Sequence, residues 1–120
     1  MHIYTGTDII DIARFTDDLI HSERFLNHCF TKAEQEYCLA KHQPAQHFAA
    51  RFAAKEAVTK ALSGMGKTLP YTAIEIQNRP DGRPFVNLIT KDSQLTRLNI
   101  DISLSHAQTA AVAFAVVWCE

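Results

Sequence analysis

The 120-residue sequence predicts a single α+β domain in which antiparallel strands pack against one long helix. Three observations carry that prediction. Residues 44–63 form an unbroken stretch rich in Ala, while residues from 72 onward change to short β-branched segments with turn signals between them. No linker, repeat or low-complexity tract divides the chain, and an apolar fraction of 47% is enough for one modest core.

The elements follow in order. HIYTGTD at 2–8 is β-branched and aromatic and reads as a strand ending at Gly6 and Asp8. Ile12, Phe15 and Leu19 recur at helical spacing, predicting a short helix over about 11–20. Thr31 followed by Glu34 has the form of a capping box and opens a helix reaching about Ala40. Pro44 suits the first turn of the long helix, which stops at Gly64 after Ser63. TAIEIQN at 72–78 and PFVNLIT at 84–90 read as strands joined through RPDGR, where Asp81-Gly82 marks the turn. A short helix over 92–98 precedes IDISLSH, which alternates apolar and polar positions, and AAVAFAVVW, which reads as a buried strand. Residues 106–109 make the turn between those last two.

Composition excludes several classes. The formal net charge is −1, which argues against general nucleic-acid binding. No apolar run approaches the roughly 18–20 residues that a membrane helix needs. MHIYTGTDII lacks a basic segment and a small-residue cleavage site, so no secretory signal is expected. Cys29, Cys38 and Cys119 have no metal spacing and an odd count, and are expected to be reduced thiols of a cytoplasmic protein. Charge is nonetheless local. Lys41, Arg51, Lys55, Lys60 and Lys67 lie close in sequence with Glu56 as the single acid among them, and His42 and His47 lie there too. That field fits either a solvated helix face or a focused anionic ligand.

Three groups of residues could carry chemistry. In the long helix, Ala49, Ala53, Glu56, Lys60 and Ser63 share one face, and Arg51, Lys55, Val58 and Leu62 another. Glu56 and Lys60, four apart, form either an ordinary helix pair worth roughly 0.2–0.5 kcal/mol or a carboxylate for a metal beside an ammonium for a phosphate. Small residues at 49, 53, 57 and 61 would let a second backbone, or a ligand, approach the helix. Asp8 is either a turn residue or a second carboxylate, which with Glu56 and phosphate oxygens would satisfy Mg²⁺. In SLSH at 103–106, Ser103 and Ser105 face one way, Ile102 and Leu104 the other, and His106 ends the strand. Those groups could donate to phosphate oxygens or simply be solvated.

Together, GTDI at 6–9, RFAAKEAVTKA at 51–61 and SLSH at 103–106 resemble the holo-acyl-carrier-protein synthases, the small 4′-phosphopantetheinyl transferases. ERFL at 23–26 and FTKAE at 30–34 are similar to that family's second-helix region. The resemblance spans nearly the whole chain, and FAAKEAxxKA is its most specific part. It implies transfer of the phosphopantetheine arm of coenzyme A to a serine of an acidic apo acyl carrier protein, as in fatty acid biosynthesis. Mg²⁺ is required, and adenosine 3′,5′-bisphosphate is released. By this likeness Asp8 and Glu56 hold the metal, and Lys60 grips the pyrophosphate. Arg51, Gly64, Ser105 and His106 contact the cofactor, the last two at the nucleotide end. Glu56, or a water held by Asp8, would take the serine proton. Arg14, with Arg24 and Phe25, is expected to dock the carrier, although Asp17 and Asp18 make that region less basic than the task favours. The family likeness further implies a homotrimer with active sites shared between subunits. The competing reading is a coenzyme A or nucleotide-binding module without turnover, which has no need of the two carboxylates; an acyl-coenzyme A hydrolase is disfavoured for want of Ser–His or Asp–His machinery.

Overall fold

A computed structural model describes residues 1–120. The chain runs β1 (His2–Asp11), α1 (Asp17–Ile20), α2 (Glu23–Cys29), α3 (Lys32–Leu39), α4 (Pro44–Ser63), β2 (Ile74–Asn78), β3 (Pro84–Leu88), α5 (Ser93–Thr96), β4 (Asn99–His106) and β5 (Ala110–Cys119), with 3₁₀ turns at Ile12–Arg14 and Tyr71–Ala73. Two antiparallel sheets flank α4: a three-stranded one in the order β1-β5-β4, and the β2-β3 hairpin. The predicted α+β class, with antiparallel strands on one long helix, is the architecture found.

The strands expected at 72–78 and 84–90 are shorter, Ile74–Asn78 and Pro84–Leu88, the helix expected over 92–98 spans Ser93–Thr96, and two further boundaries bear on the site. β1 continues past Asp8 to Asp11 because its backbone pairs with β5 in unbroken register, Asp8 opposite Ala113 and Asp11 opposite Ala110. Asp8 therefore lies within the strand and not at its end. The helix expected over 11–20 is broken because Thr16 acts as an N-cap, its hydroxyl accepting from the Leu19 amide at 3.2 Å. The capping box at Thr31 is present in both halves. Glu34 Oε1 accepts the Thr31 amide at 2.8 Å, and Thr31 Oγ1 accepts the Glu34 amide. At the hairpin, Gly82 adopts φ 93°, the left-handed value that the Asp-Gly turn anticipated.

The stripe of small residues on α4 receives a backbone. Ala49, Ala53, Ala57 and Ala61 are fully buried, and so are the inward residues Ala111, Ala113 and Ala115 of β5. The approach is closest at Gly6, where an added Cβ would sit 1.8 Å from the Ala57 carbonyl oxygen. Small side chains on both surfaces thus let β1 and β5 lie directly on α4. The other side of α4 buries Phe48, Val58 and Leu62 in a continuous core of 23 residues that includes Phe30, Ile74 and Ile76. No helix is long and apolar enough to cross a membrane.

β5 is buried on only one face. Alternation sends Val112 and Phe114 outward, 36% and 44% exposed, beside Ile3 and Ile9 of β1 at 62% and 69%. The outer face of the larger sheet is therefore apolar and open.

Candidate active site

Asp8 and Lys60 meet where β1 crosses α4, with Glu56 one helical turn before Lys60. Gly6, Asp8 and Ile10 alternate toward the helix, so the contact that Gly6 permits brings Asp8 to the helix surface one turn from Glu56. Lys60 Nζ donates to the Thr7 carbonyl at 2.8 Å and pairs with Asp8 Oδ1 at 3.3 Å. Asp8 is 18% exposed and Lys60 54%, so the pair opens to solvent from one side. Glu56 is half-buried and faces Tyr71. Hydrogen bonding to the Glu56 carboxylate, then burial, then the negative charges of Glu56 and Asp8 push the Tyr71 hydroxyl up to about 12. The Tyr71 hydroxyl thus faces the Glu56 carboxylate, with the charge of Asp8 a lesser influence.

A second cluster gathers at the N-terminal half of α4. His106 Nδ1 shares a hydrogen bond with Gln46 Nε2 at 2.8 Å. Arg51 is buried, stacks over Tyr37 at 3.9 Å and donates to Asn78 Oδ1, leaving its Nε without a partner. The His47 imidazole is pushed down first by burial and then by the positive charges of Arg51, Lys41 and His106. These groups make a region of positive potential with an unused buried donor, suited to an anion. Arg51 lies about 140° around the helix from Glu56 at 100° per residue. Ser105 projects from the outer face of its sheet, opposite to the face carrying Asp8. Within one chain the fold therefore joins Asp8 with Lys60, joins His106 with Gln46 at the start of α4, and turns Ser105 to the other face of its sheet.

The remaining expected residues also have definite places. Gly64 closes α4 in right-handed geometry, and a Cβ there would meet the Tyr4 ring at 2.7 Å, so Gly64 serves the packing of β1. Arg14 and Arg24 are exposed on the segment between β1 and α3. Phe25 is half-buried, its ring 6.0 Å from Phe15 and 6.1 Å from Phe30, so it belongs in part to the core.

Residues 4–115 match the family model described as the 4′-phosphopantetheinyl transferase superfamily. The chain belongs to that superfamily. The holo-acyl-carrier-protein synthase of Protochlamydia amoebophila is 44% identical over 119 residues, covering 97% of this chain and 98% of that protein. Among solved structures, the acyl carrier protein synthase of Mycobacterium tuberculosis is 31% identical with a TM-score of 0.79, covering 99% and 100% of the two chains. The Helicobacter pylori holo-acyl-carrier-protein synthase, solved in complex with coenzyme A, is 30% identical with a TM-score of 0.80, covering 95% of this chain and 99% of that one.

One charged residue of this transferase has a role that charge counting did not foresee. Lys55, counted in the local basic field although it shares a face with Arg51, Val58 and Leu62, is fully buried and pairs with the fully buried Glu34 at 2.8 Å. Its ammonium also donates to the carbonyls of Tyr71 and Ile74 at 2.8 and 2.7 Å. Burial lowers its pKa, and Glu34 opposes that. Glu34 Oε2 in turn accepts the Ile76 amide at 2.8 Å. The network pins the segment carrying Tyr71 to the turn of α4 that carries Glu56. Only the capping-box pattern at Thr31 hinted that Glu34 was structural.

Proposed function

We propose that this chain transfers 4′-phosphopantetheine from coenzyme A to a serine hydroxyl of an acidic apo acyl carrier protein, releasing adenosine 3′,5′-bisphosphate. The observation that carries the reading is the meeting of Lys60 with Asp8 beside Glu56 in a chain of this superfamily. Two carboxylates and an ammonium at one point match the needs of phosphoryl transfer, which depends on positioning and charge neutralisation.

The donors fit Mg²⁺. Asp8 and Glu56 supply hard oxygens, and no cluster of three or more His, Cys, Asp or Glu side chains competes to build a closed protein cage. A shell completed by phosphate oxygens and water is what such a pair allows. Bound there, Mg²⁺ would offset charge on the diphosphate and in the transition state. Lys60 holds the diphosphate oxygens and stabilises the charge that develops on the leaving bisphosphate. Glu56, kept in place by Tyr71, accepts the serine proton either directly or through a water held by Asp8.

The cluster of Arg51, His47, Lys41 and His106 receives the nucleotide end and its 3′-phosphate. Because Arg51 lies about 140° around α4 from Glu56, and because Ser105 lies on the outer sheet face, the cofactor site is completed by two neighbouring copies. The apolar outer face of Ile9, Val112 and Phe114 supports such packing, with a trimer as the closed assembly. Arg14, Arg24 and Phe25 form the carrier-docking region, and the setting is the cytoplasm of a cell that makes fatty acids.

Mass spectrometry tests the reaction. With coenzyme A, Mg²⁺ and an apo carrier protein, the carrier gains the mass of one phosphopantetheine group. An unchanged mass across fatty-acid and polyketide carriers would refute the transferase reading.

A further inference from the structure

A cavity of about 610 Å³ opens beyond the C-terminal end of α4, between Tyr4 of β1, the segment after α4, the end of α5 and the ends of β4 and β5. The volume falls within the ~300–1,000 Å³ usual for small-ligand sites. Alternation puts Tyr4, Gly6 and Asp8 on one face of β1, and at 3.3 Å per residue Tyr4 stands about 13 Å along the strand from Asp8. Gly6, buried directly against the Ala57 carbonyl, fills the interval between them. The cavity is therefore separate from the site of Asp8 and Lys60.

Its lining is divided by chemistry. Tyr4, Met65 and Leu98 supply an apolar wall, and all three pack against the main core. Gln94, Arg97 and Asn99 supply exposed polar side chains. None of these three, nor the Tyr4 hydroxyl, is engaged in a hydrogen bond within the chain; the Gln94 group that Asp92 binds is its backbone amide. The two cations of the lining differ. Lys67 is held by Asp92 at 2.8 Å, whereas Arg97 forms no ion pair, not even with Glu120, the one acid of the lining. Donors from two elements thus converge on one recess with a free guanidinium among them.

We propose that this cavity binds a small carboxylate that carries an apolar tail. The Arg97 guanidinium offers the planar pair of donors that a carboxylate takes up bidentately, and Gln94 and Asn99 add uncharged donors beside it. The tail lies against Tyr4, Met65 and Leu98, where it gains the burial that a bare anion forgoes. A cation of the same length meets Arg97 and Lys67 and is repelled. Coenzyme A is a poor occupant, because its several phosphates find one unpaired cation here. None of the residues assigned to the transfer reaction lines the cavity, so this binding is independent of the transferase reading.

Cys119 lines the same cavity and is a free thiol, so it reports occupancy. The probe is octanoate, compared with acetate, which lacks the tail, and with octylamine, which reverses the charge. Mass spectrometry follows iodoacetamide labelling of Cys119 at pH 8 in wild type, and calorimetry reads octanoate affinity in wild type and Arg97→Ala. Arg97 is exposed, and a melting curve confirms that the variant folds. The expected result is that saturating octanoate slows labelling by about five-fold or more, with or without saturating coenzyme A, while acetate and octylamine leave it within about two-fold. Arg97→Ala weakens octanoate by about 10-fold or more, as loss of a charge-assisted bond requires. Labelling unchanged by octanoate, equal protection by octylamine, or Arg97→Ala binding octanoate as wild type does overturns the proposal. So does protection that disappears when coenzyme A is added, since octanoate would then occupy the cofactor's own site.

Discussion

Lys55 and Glu56 are neighbours with opposite fates, and the difference is geometric. One residue step rotates a side chain by about 100°, which turns Lys55 into the core and Glu56 toward Asp8. Lys55 has three acceptors and no exposed surface, so removing its charge strands Glu34. Lys55→Met is expected to cost about 3–5 kcal/mol in a denaturant titration, as for other broken buried pairs. Loss below about 1 kcal/mol would show that the pair contributes little. Glu56→Gln keeps the shape and removes the charge. Activity should fall by about 100-fold or more while the melting temperature stays near that of wild type. An active variant would remove Glu56 from the metal and proton-transfer roles. The thiols are a third residue-scale case. Burial, opposed by Arg51, pushes Cys38 up from 9.0 to about 12. Its raised value favours the folded state below about pH 9, and that contribution is lost as pH rises toward 12. At pH 8, native alkylation should therefore label Cys119 while sparing Cys29 and Cys38, and all three should react after denaturation.

At the level of elements, the legible parts were those specified by local chemistry. Pro44 opened α4, Thr31 and Glu34 capped α3, and Asp81-Gly82 turned the hairpin, each within a few residues of its cause. Period-2 alternation correctly divided Ser103 and Ser105 from Ile102 and Leu104. What stayed hidden needed partners far along the chain. β1 runs to Asp11 because of Ala110, and the small residues of α4 await β1 and β5. The role of Lys55 depended on Glu34, 21 positions earlier, and a charged helix residue gives no local sign of such a partner. For the site, the trio Asp8, Glu56 and Lys60 was readable as types and motif, whereas Tyr71, just before the strand expected at 72–78, drew no reading at all. The segment between β1 and α3 presents Arg14 and Arg24 outward, with acidic Asp17 and Asp18 between them. Arg14→Ala should raise KM for the carrier well beyond its effect on KM for coenzyme A, and more steeply at low salt. Equal changes for both substrates would place docking elsewhere.

The whole molecule is organised around α4, with a sheet on one side and the β2-β3 hairpin and α3 on the other. That arrangement buries three surfaces and leaves the outer face of the larger sheet without a cover. Ile3, Ile9, Val112 and Phe114 there form an apolar stretch of the kind that associates in water. Phe114→Asp should convert the assembly to monomers in sedimentation or light scattering, and lower activity by separating the nucleotide cluster of one copy from the Asp8 of the next. A variant that stays assembled would mean that subunits meet through a different surface.

The pairing of β1 with β5 joins the two ends of the chain, His2 opposite Cys119 and Asp8 opposite Ala113. During translation, the strand that bears Asp8 emerges from the ribosome about 100 residues before its hydrogen-bonding neighbour. A nascent chain can coil α4 and clasp Glu34 to Lys55 long before Asp8 has a seat. Every truncated product that stops short of about residue 113 should therefore be catalytically silent, because Asp8 then lacks the strand that seats it.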